Sequence, residues 1–533
     1  MVAIKETVSP QGNLASVTGT TRWRWAFVAV FVLFQGVKLW LAVRLTPFAD
    51  EAFYWQESRR LAWGYSDLPG LTAWLIRLGQ ALAGSGTLAM RWPFLLLGAT
   101  LPWLVIAWTR RHFGARCGWQ AGLLVLGMPL AGTLGVLALP DVPLTVAAML
   151  ALLALDRVVL PSPRGRDWWL LGCALAIAVA SHYRAGMLLL AGLLFVTATA
   201  RGRSVWRNTG WYMALGLGVV GALPMLAYNV GHEWAGLAFQ MVERNPWHFH
   251  ADALRQPLEQ ALVVSPPLYI VLLWMLCLAL RRRCDGAPWD LAACVGVVVL
   301  AGYFLAGLFA DGLRFRLHWP LPGYLPLLAL VPAWLARRRA WAWMVAVTVG
   351  VMQLAAVAAL CVATRAGDGS GLSRVFAGWS EAAAVARREL AQAPGDVLVA
   401  DNFKLAAELD FALHGSRPVY VLDSPANVKH GRARQIAEWH RDGEALAAKQ
   451  AGARVLLAVD ETSLREGARP GWLGTICDGM ADLAPVARID LQRAGRRIAF
   501  YRGTVRADRV VDPRGRDACV VWREAYAAQY PAR

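Results

Sequence analysis

Residues Pro47-Phe48-Ala49-Asp50-Glu51-Ala52-Phe53-Tyr54-Trp55 decide how this chain is read. They set two adjacent carboxylates among aromatics, directly after an apolar run at 25–43. That run is long enough to cross roughly 30 Å of hydrocarbon at about 1.5 Å per helical residue. The acidic pair therefore stands where the chain leaves a membrane. Packing gives no reason for two charges at that depth, and ionisable groups there mark function.

Composition supports a membrane setting. Of 533 residues, 57% are hydrophobic and 17% charged, more apolar surface than a soluble fold can hide. The 26 Trp suit anchors at the headgroup layer. The formal charge of +18 is explained by basic cytoplasmic loops, so nucleic acid is not an expected partner. Eight Cys without a C-x-x-C spacing give no zinc site.

Further apolar spans read at 88–108, 119–139, 142–160, 168–180, 185–200, 211–228, 261–280, 291–309, 319–335 and 341–363, eleven with the first, and merging or a hidden pair leaves about 11–13. No small-residue cleavage site follows 25–43, so it is expected to stay as a helix behind a disordered lead at 1–24. Every second connection is basic: Arg22/Arg24, Arg110/Arg111/Arg116, Arg157/Arg164/Arg166, Arg201/Arg203/Arg207, Arg281–Arg283 and Arg337–Arg339. This positive-inside alternation puts the N-terminus in the cytoplasm.

The other connections then face outward and carry Asp50/Glu51, Tyr65 and Asp67, Asp141, Ser181-His182-Tyr183-Arg184, the stretch 229–260, and 311–318. The plain alternative for any one of them is a loop residue in water. For Asp50/Glu51 it is the N-cap of a helix through Tyr54 to Leu61. For Tyr54, Tyr65 and Trp234 it is an interfacial aromatic belt. His232, Glu233, His248 and His250 share one outward loop but lack tight metal-ligand spacing. The stretch 231–260 reads as a mobile cover over the site.

After 363 a Gly/Ser/Asp linker leads into a mixed, charged region at 372–533. Strands are expected at 397–400, 419–422 and 454–459, an edge strand at 498–501, and an amphipathic helix at 379–392. This makes a small α/β domain, outward by the odd span count. Cys477 and Cys519 lie in it, and spacing leaves their pairing open.

The stretch 49–55, followed by Leu61-Ala62-Trp63-Gly64-Tyr65-Ser66-Asp67-Leu68-Pro69-Gly70, resembles the first outer loop of GT-C glycosyltransferases, in particular the lipid A aminoarabinose transferases and protein O-mannosyltransferases. The similarity continues in order at Leu139-Pro140-Asp141-Val142-Pro143-Leu144, Ser181-His182-Tyr183-Arg184, Tyr228-Asn229-Val230-Gly231-His232-Glu233-Trp234 with Phe239-Gln240, and His318-Trp319-Pro320 with Tyr324. His182 stands where the family often has Lys, and Leu68-Pro69-Gly70 replaces its His-Pro-Pro.

The resemblance implies a polytopic α-helical membrane protein of GT-C type with a C-terminal α/β extracytoplasmic domain in a bacterial inner membrane. It also implies an inverting transfer from a polyprenyl-phosphate sugar to a lipid A, glycan or protein acceptor at the outer face. The outward cations Arg184, Arg244, Arg314 and Arg316 suit the donor phosphate, because guanidinium offers a planar fork. An acceptor hydroxyl needs a base, for which Asp50 is expected; for an anionic acceptor Asp50 only positions. Glu51 would orient the acceptor or a divalent cation, no cofactor being certain. Tyr54, Tyr65, Asp67, Asp141, His182, Tyr183, Asn229, His232 and His318 are expected to contact substrate. A flippase of lipid-linked sugars would show internal repeats and helices broken at mid-membrane, which the sequence lacks. A glycan polymerase or ligase would show a late outward loop with paired Arg, faintly matched by Arg314/Arg316.

Overall fold

The computed structural model describes residues 10–243, 247–309, 317–364, 375–463 and 469–506. The chain is a multi-pass membrane bundle with an α/β region after it. Among the described residues, five helices are long and apolar enough to cross a membrane, or six if the pair Ala251–Val264 and Pro266–Arg281, bent by 115°, forms one span. The shorter expected spans are also helical, including Asp141–Val158, Gly165–Ser181, Ala185–Ala198 and Leu321–Leu335. Thr209–Gly231 and Arg339–Ala363 bury only 17% of their apolar windows. They turn Val219, Val220, Leu223, Val347, Val351 and Leu354 outward, a surface suited to lipid rather than water.

Several expectations are corrected. The first helix starts at Pro10, so most of the expected disordered lead is helical. The spans expected at 88–108 and 119–139 share one helical run, Thr87–Gly127, bent at Gly114, whose φ of 81° no ordinary helical residue adopts. The first outward connection holds two helices, Ala49–Arg59 and Leu71–Ala83. The cover expected at 231–260 includes short helices such as Ala235–Ala238 and Gln256–Val264.

The two ends of the bundle differ. Asp156 ties the basic end, accepting Arg201 Nη1 at 3.2 Å and pairing with Arg111 Nε at 3.0 Å, while Arg201 also grips Asp290 at 2.8 Å. Asp141 begins the same helix 15 residues earlier, about 22 Å away along the axis. Asp141 and the acidic helix Ala49–Arg59 thus lie at the end opposite the Arg-rich loops.

The α/β region has a five-stranded sheet in the order β2-β1-β3-β5-β4. The strands are β1 Val397–Ala400, β2 Val419–Val421, β3 Arg454–Asp460, β4 Met480–Leu491 and β5 Arg496–Val505. β1 runs parallel to β2 and β3, while β5 is antiparallel to β3 and β4. The strand expected at an edge, 498–501, lies inside β5, and β4 is the edge. β4 escapes a pattern search because it is bulged and half exposed, with Pro485 in it. Helix Trp379–Gln392 forms as the amphipathic pattern predicts.

One face of the sheet carries Leu398, Leu456 and Phe500, and with helix Phe403–Ala412 it packs on Ala52 and Phe53 of the acidic helix. The core of the α/β region therefore includes two residues of the first outward connection. Cys477 is disulfide-bonded; Cys519 lies outside the described residues.

Candidate active site

Phe48 is extended and caps the acidic helix, which places Asp50 and Glu51 in its first turn. The unpaired N–H groups there favour carboxylates. Neighbours in a helix point about 100° apart, so the two acids diverge. Asp50 faces a cavity of about 130 Å³ between the bundle and the α/β region.

Glu51 points the other way and is fully buried. Arg91 donates to it from Nε at 2.9 Å and Nη2 at 2.7 Å. The backbone N–H groups of Phe48, at 2.9 Å, and Ala138, at 2.6 Å, complete its shell. Arg91 spends its remaining N–H groups on the carbonyls of Ala42, Leu45 and Thr46. Glu51 has no capacity left for an acceptor or a cation. The expected substrate or cation contact is corrected to a buried ion pair with Arg91, away from the cavity lining.

The cavity gathers seven of the expected residues: Asp50, Tyr54, Asp67, Asp141, His182, Arg184 and His318. Asp141 accepts from Arg184 Nη2 at 2.7 Å and lies 3.2 Å from His318 Nε2. Arg184 stacks over Trp319, its guanidinium carbon 4.9 Å from the ring centroid. This holds the planar fork in one orientation. The wall at Tyr54 is dry enough that burial pushes its phenol well above the usual range.

Among the described residues, the other expected contacts do not line this cavity. Tyr65 is buried and donates its hydroxyl to the Glu57 carbonyl at 2.9 Å. Asn229 donates to the Tyr183 hydroxyl at 3.0 Å and accepts from Leu237 N–H at 2.9 Å, which braces the turn after Thr209–Gly231. His232 stacks on Tyr228 with ring centroids 4.0 Å apart. Arg244, Arg314 and Arg316 lie outside the described residues. Among the described residues, no group of three or more His, Cys, Asp or Glu comes together to hold a metal, the 232–250 loop included.

Similarity to known proteins runs along the same path. The family model described as dolichyl-phosphate-mannose-protein mannosyltransferase matches residues 67–228. The chain is 24% identical over 464 residues to the lipid A galacturonosyltransferase RgtD of Rhizobium johnstonii, covering 79% of this chain and 86% of that protein. Its fold matches that of ArnT from Cupriavidus metallidurans in the apo state, with a TM-score of 0.65 at 17% identity over 90% of this chain and 98% of that one. The undecaprenyl phosphate-bound form of the same ArnT gives a TM-score of 0.64, covering 93% of this chain and 100% of that one. The chain is a glycosyltransferase that resembles the lipid A transferases and has the fold of ArnT.

The transferase completes its cavity with residues the sequence did not single out. Lys429, His430 and Arg432 reach it from the loop after β2. Arg432 is buried and pairs with Asp67 at 2.8 Å, Glu57 at 3.3 Å and Asp50 at 3.7 Å. Its loop is held by the Ser66 hydroxyl donating to the Gly431 carbonyl at 2.6 Å and by Ser66 N–H donating to Gln435 at 3.0 Å. The signal available in sequence was Lys429-His430-Gly431-Arg432, a dense cationic run around a glycine. Its partners lie more than 360 positions earlier, so spacing gave no link.

The lining holds three carboxylates (Asp50, Asp67, Asp141), three fixed cations (Arg184, Lys429, Arg432) and three histidines (His182, His318, His430). The charges fall into two ion-pair clusters. Asp50 and Asp67 share Arg432 in one cluster, and Arg184 and His318 share Asp141 in the other. A sugar seated in this cavity would meet both carboxylates and cations in its lining.

Proposed function

We propose that this transferase moves a sugar from a polyprenyl-phosphate-linked donor to a lipid A-type acceptor at the outer face of the bacterial inner membrane, with inversion at the anomeric carbon. The observation that carries this is one cavity lined by both Asp50 and Arg184, the latter stacked on Trp319. The named relatives support the choice of substrates: one acts on lipid A, and the structural neighbour has been seen with undecaprenyl phosphate. The Arg-rich loops at the far end of the bundle support an outward site, with the N-terminus cytoplasmic and the α/β region periplasmic.

In this scheme Arg184 and His318 hold the donor phosphate and stabilise the charge left on it as the glycosidic bond breaks. Asp50 lines the same cavity. It takes the proton of an acceptor hydroxyl, or orients an acceptor that is already anionic.

The test is transfer of label from a radiolabelled polyprenyl-phosphate sugar to lipid A by the full-length protein in lipid nanodiscs, compared with Asp50→Asn. Labelled lipid A and a rate lower by about 10²–10⁴-fold in the variant is the expected result. If label never leaves the polyprenyl phosphate with any acceptor offered, the transferase assignment falls. Label crossing sealed vesicles unchanged would identify a flippase instead.

A further inference from the structure

We propose that Arg432, supplied by the α/β region, is a positioning residue that keeps Asp50 a correctly aimed carboxylate, so that the membrane bundle has no competent site without that region. The inference rests on the transferase function proposed above.

Three carboxylates, Asp50, Glu57 and Asp67, converge on one buried guanidinium at 3.7, 3.3 and 2.8 Å. Like charges that close cannot all stay ionised in a dry site without a cation. Aromatic rings hold Arg432 in place among them. Its guanidinium carbon lies 4.2 Å from the Phe53 ring centroid and 5.0 Å from that of Tyr54. The loop is equally fixed, since Asn427 accepts Phe403 N–H at 2.9 Å and donates to the Leu422 carbonyl at 2.8 Å, while Arg432 N–H donates to the Asn427 carbonyl at 2.8 Å. With the cation removed, Asp50 competes with Glu57 and Asp67 for protons and loses an ion-pair partner.

The charged and titratable groups facing Arg432 are Asp50, Tyr54 and Glu57 on the acidic helix, Asp67 on the next loop, and Lys429 and His430 beside it. Asp141, His182, Arg184 and His318 line the same cavity.

The experiment is the pH–rate profile of sugar transfer by the full-length protein, Arg432→Gln and Arg432→Lys, with melting curves of each from pH 4 to 9. The expected result for Arg432→Gln is an acid limb moved up by about 1–3 pH units, with activity recovering at alkaline pH. Arg432→Lys keeps the charge and should keep the limb near its original position, with a lower kcat from lost geometry. A uniform loss of activity without movement of the limb, or an unchanged profile, overturns the proposal. If Arg432→Gln does not fold, the double variant Asp67→Asn/Arg432→Gln removes one acid with the cation and should fold and show the same shift. A double variant that also fails to fold makes Arg432 purely structural and overturns the proposal. If the unaltered protein transfers nothing, the transferase function fails separately. The melting curves then decide: a different pH dependence in Arg432→Gln sustains the charge coupling, and an identical one overturns it.

Discussion

Glu51 and Arg91 meet in a two-pronged ion pair with both side chains fully buried. The pair joins the end of the first membrane helix, the acidic helix, helix Thr87–Gly127 and the loop before Asp141. It does so through hydrogen bonds to backbone groups of Ala42, Leu45, Thr46, Phe48 and Ala138. Removing one member leaves the other charged and dry. Glu51→Gln and Arg91→Met should each destabilise the protein by about 3–5 kcal/mol. Thermal melting in detergent checks this, and Asp50→Asn, altering a partly exposed side chain, should melt near the unaltered protein. Equal melting of Glu51→Gln and the unaltered protein would show that the knot is dispensable.

Arg184 tests how the donor is held. Arg184→Ala removes both the fork and the charge, and the loss of a charge-assisted contact of about 1.5–3 kcal/mol should raise the donor KM by roughly ten- to a hundredfold. Arg184→Lys restores charge without the fork or the stacking on Trp319 and should recover only part of the loss. Steady-state kinetics against donor concentration separates the two, and a KM unchanged in Arg184→Ala places the phosphate elsewhere.

Glu57 gives a pH signature. Burial first, and then the neighbouring Asp67, push its carboxyl well above the usual range, although Arg432 pulls the other way. The folded protein therefore holds this proton more tightly than the unfolded chain, whose Glu titrates near about 4.3. That contribution is complete below the unfolded value and declines as pH rises toward the folded one. Glu57→Gln removes the decline. Its melting temperature, relative to the unaltered protein, should rise with pH across that window, whereas a constant difference would mean that Glu57 titrates normally.

Gly431 has φ 72°, and a Cβ there would lie 2.6 Å from the Phe239 ring. Gly431→Ala should cost about 1–2 kcal/mol from the left-handed backbone alone. It should also lower transfer, because the next residue is Arg432. Melting and initial rates on one preparation check both, and full activity with normal melting would show that the loop has slack.

Much of this protein was determined by its sequence alone. Hydrophobic runs of membrane length, Arg at alternate loops and the order of the motifs through Asp50, Asp141, Arg184 and His318 specify a polytopic bundle and most of one cavity, because the membrane makes each span a local property of the chain. The resemblance to GT-C transferases could be read from the same residues. Tertiary structure alone decided the rest. It separated Asp50 from Glu51, since adjacent helical positions diverge and only the fold shows which meets Arg91. It put Tyr65, Tyr183 and Asn229 into hydrogen bonds away from the cavity lining, because burial and hydrogen-bond partners are not encoded in spacing. It also brought Arg432, near the far end of the chain, to Asp50 in the first outward connection. A charge pair closed over such a separation leaves no local pattern, and its geometry exists only once the α/β region has packed on Ala52 and Phe53.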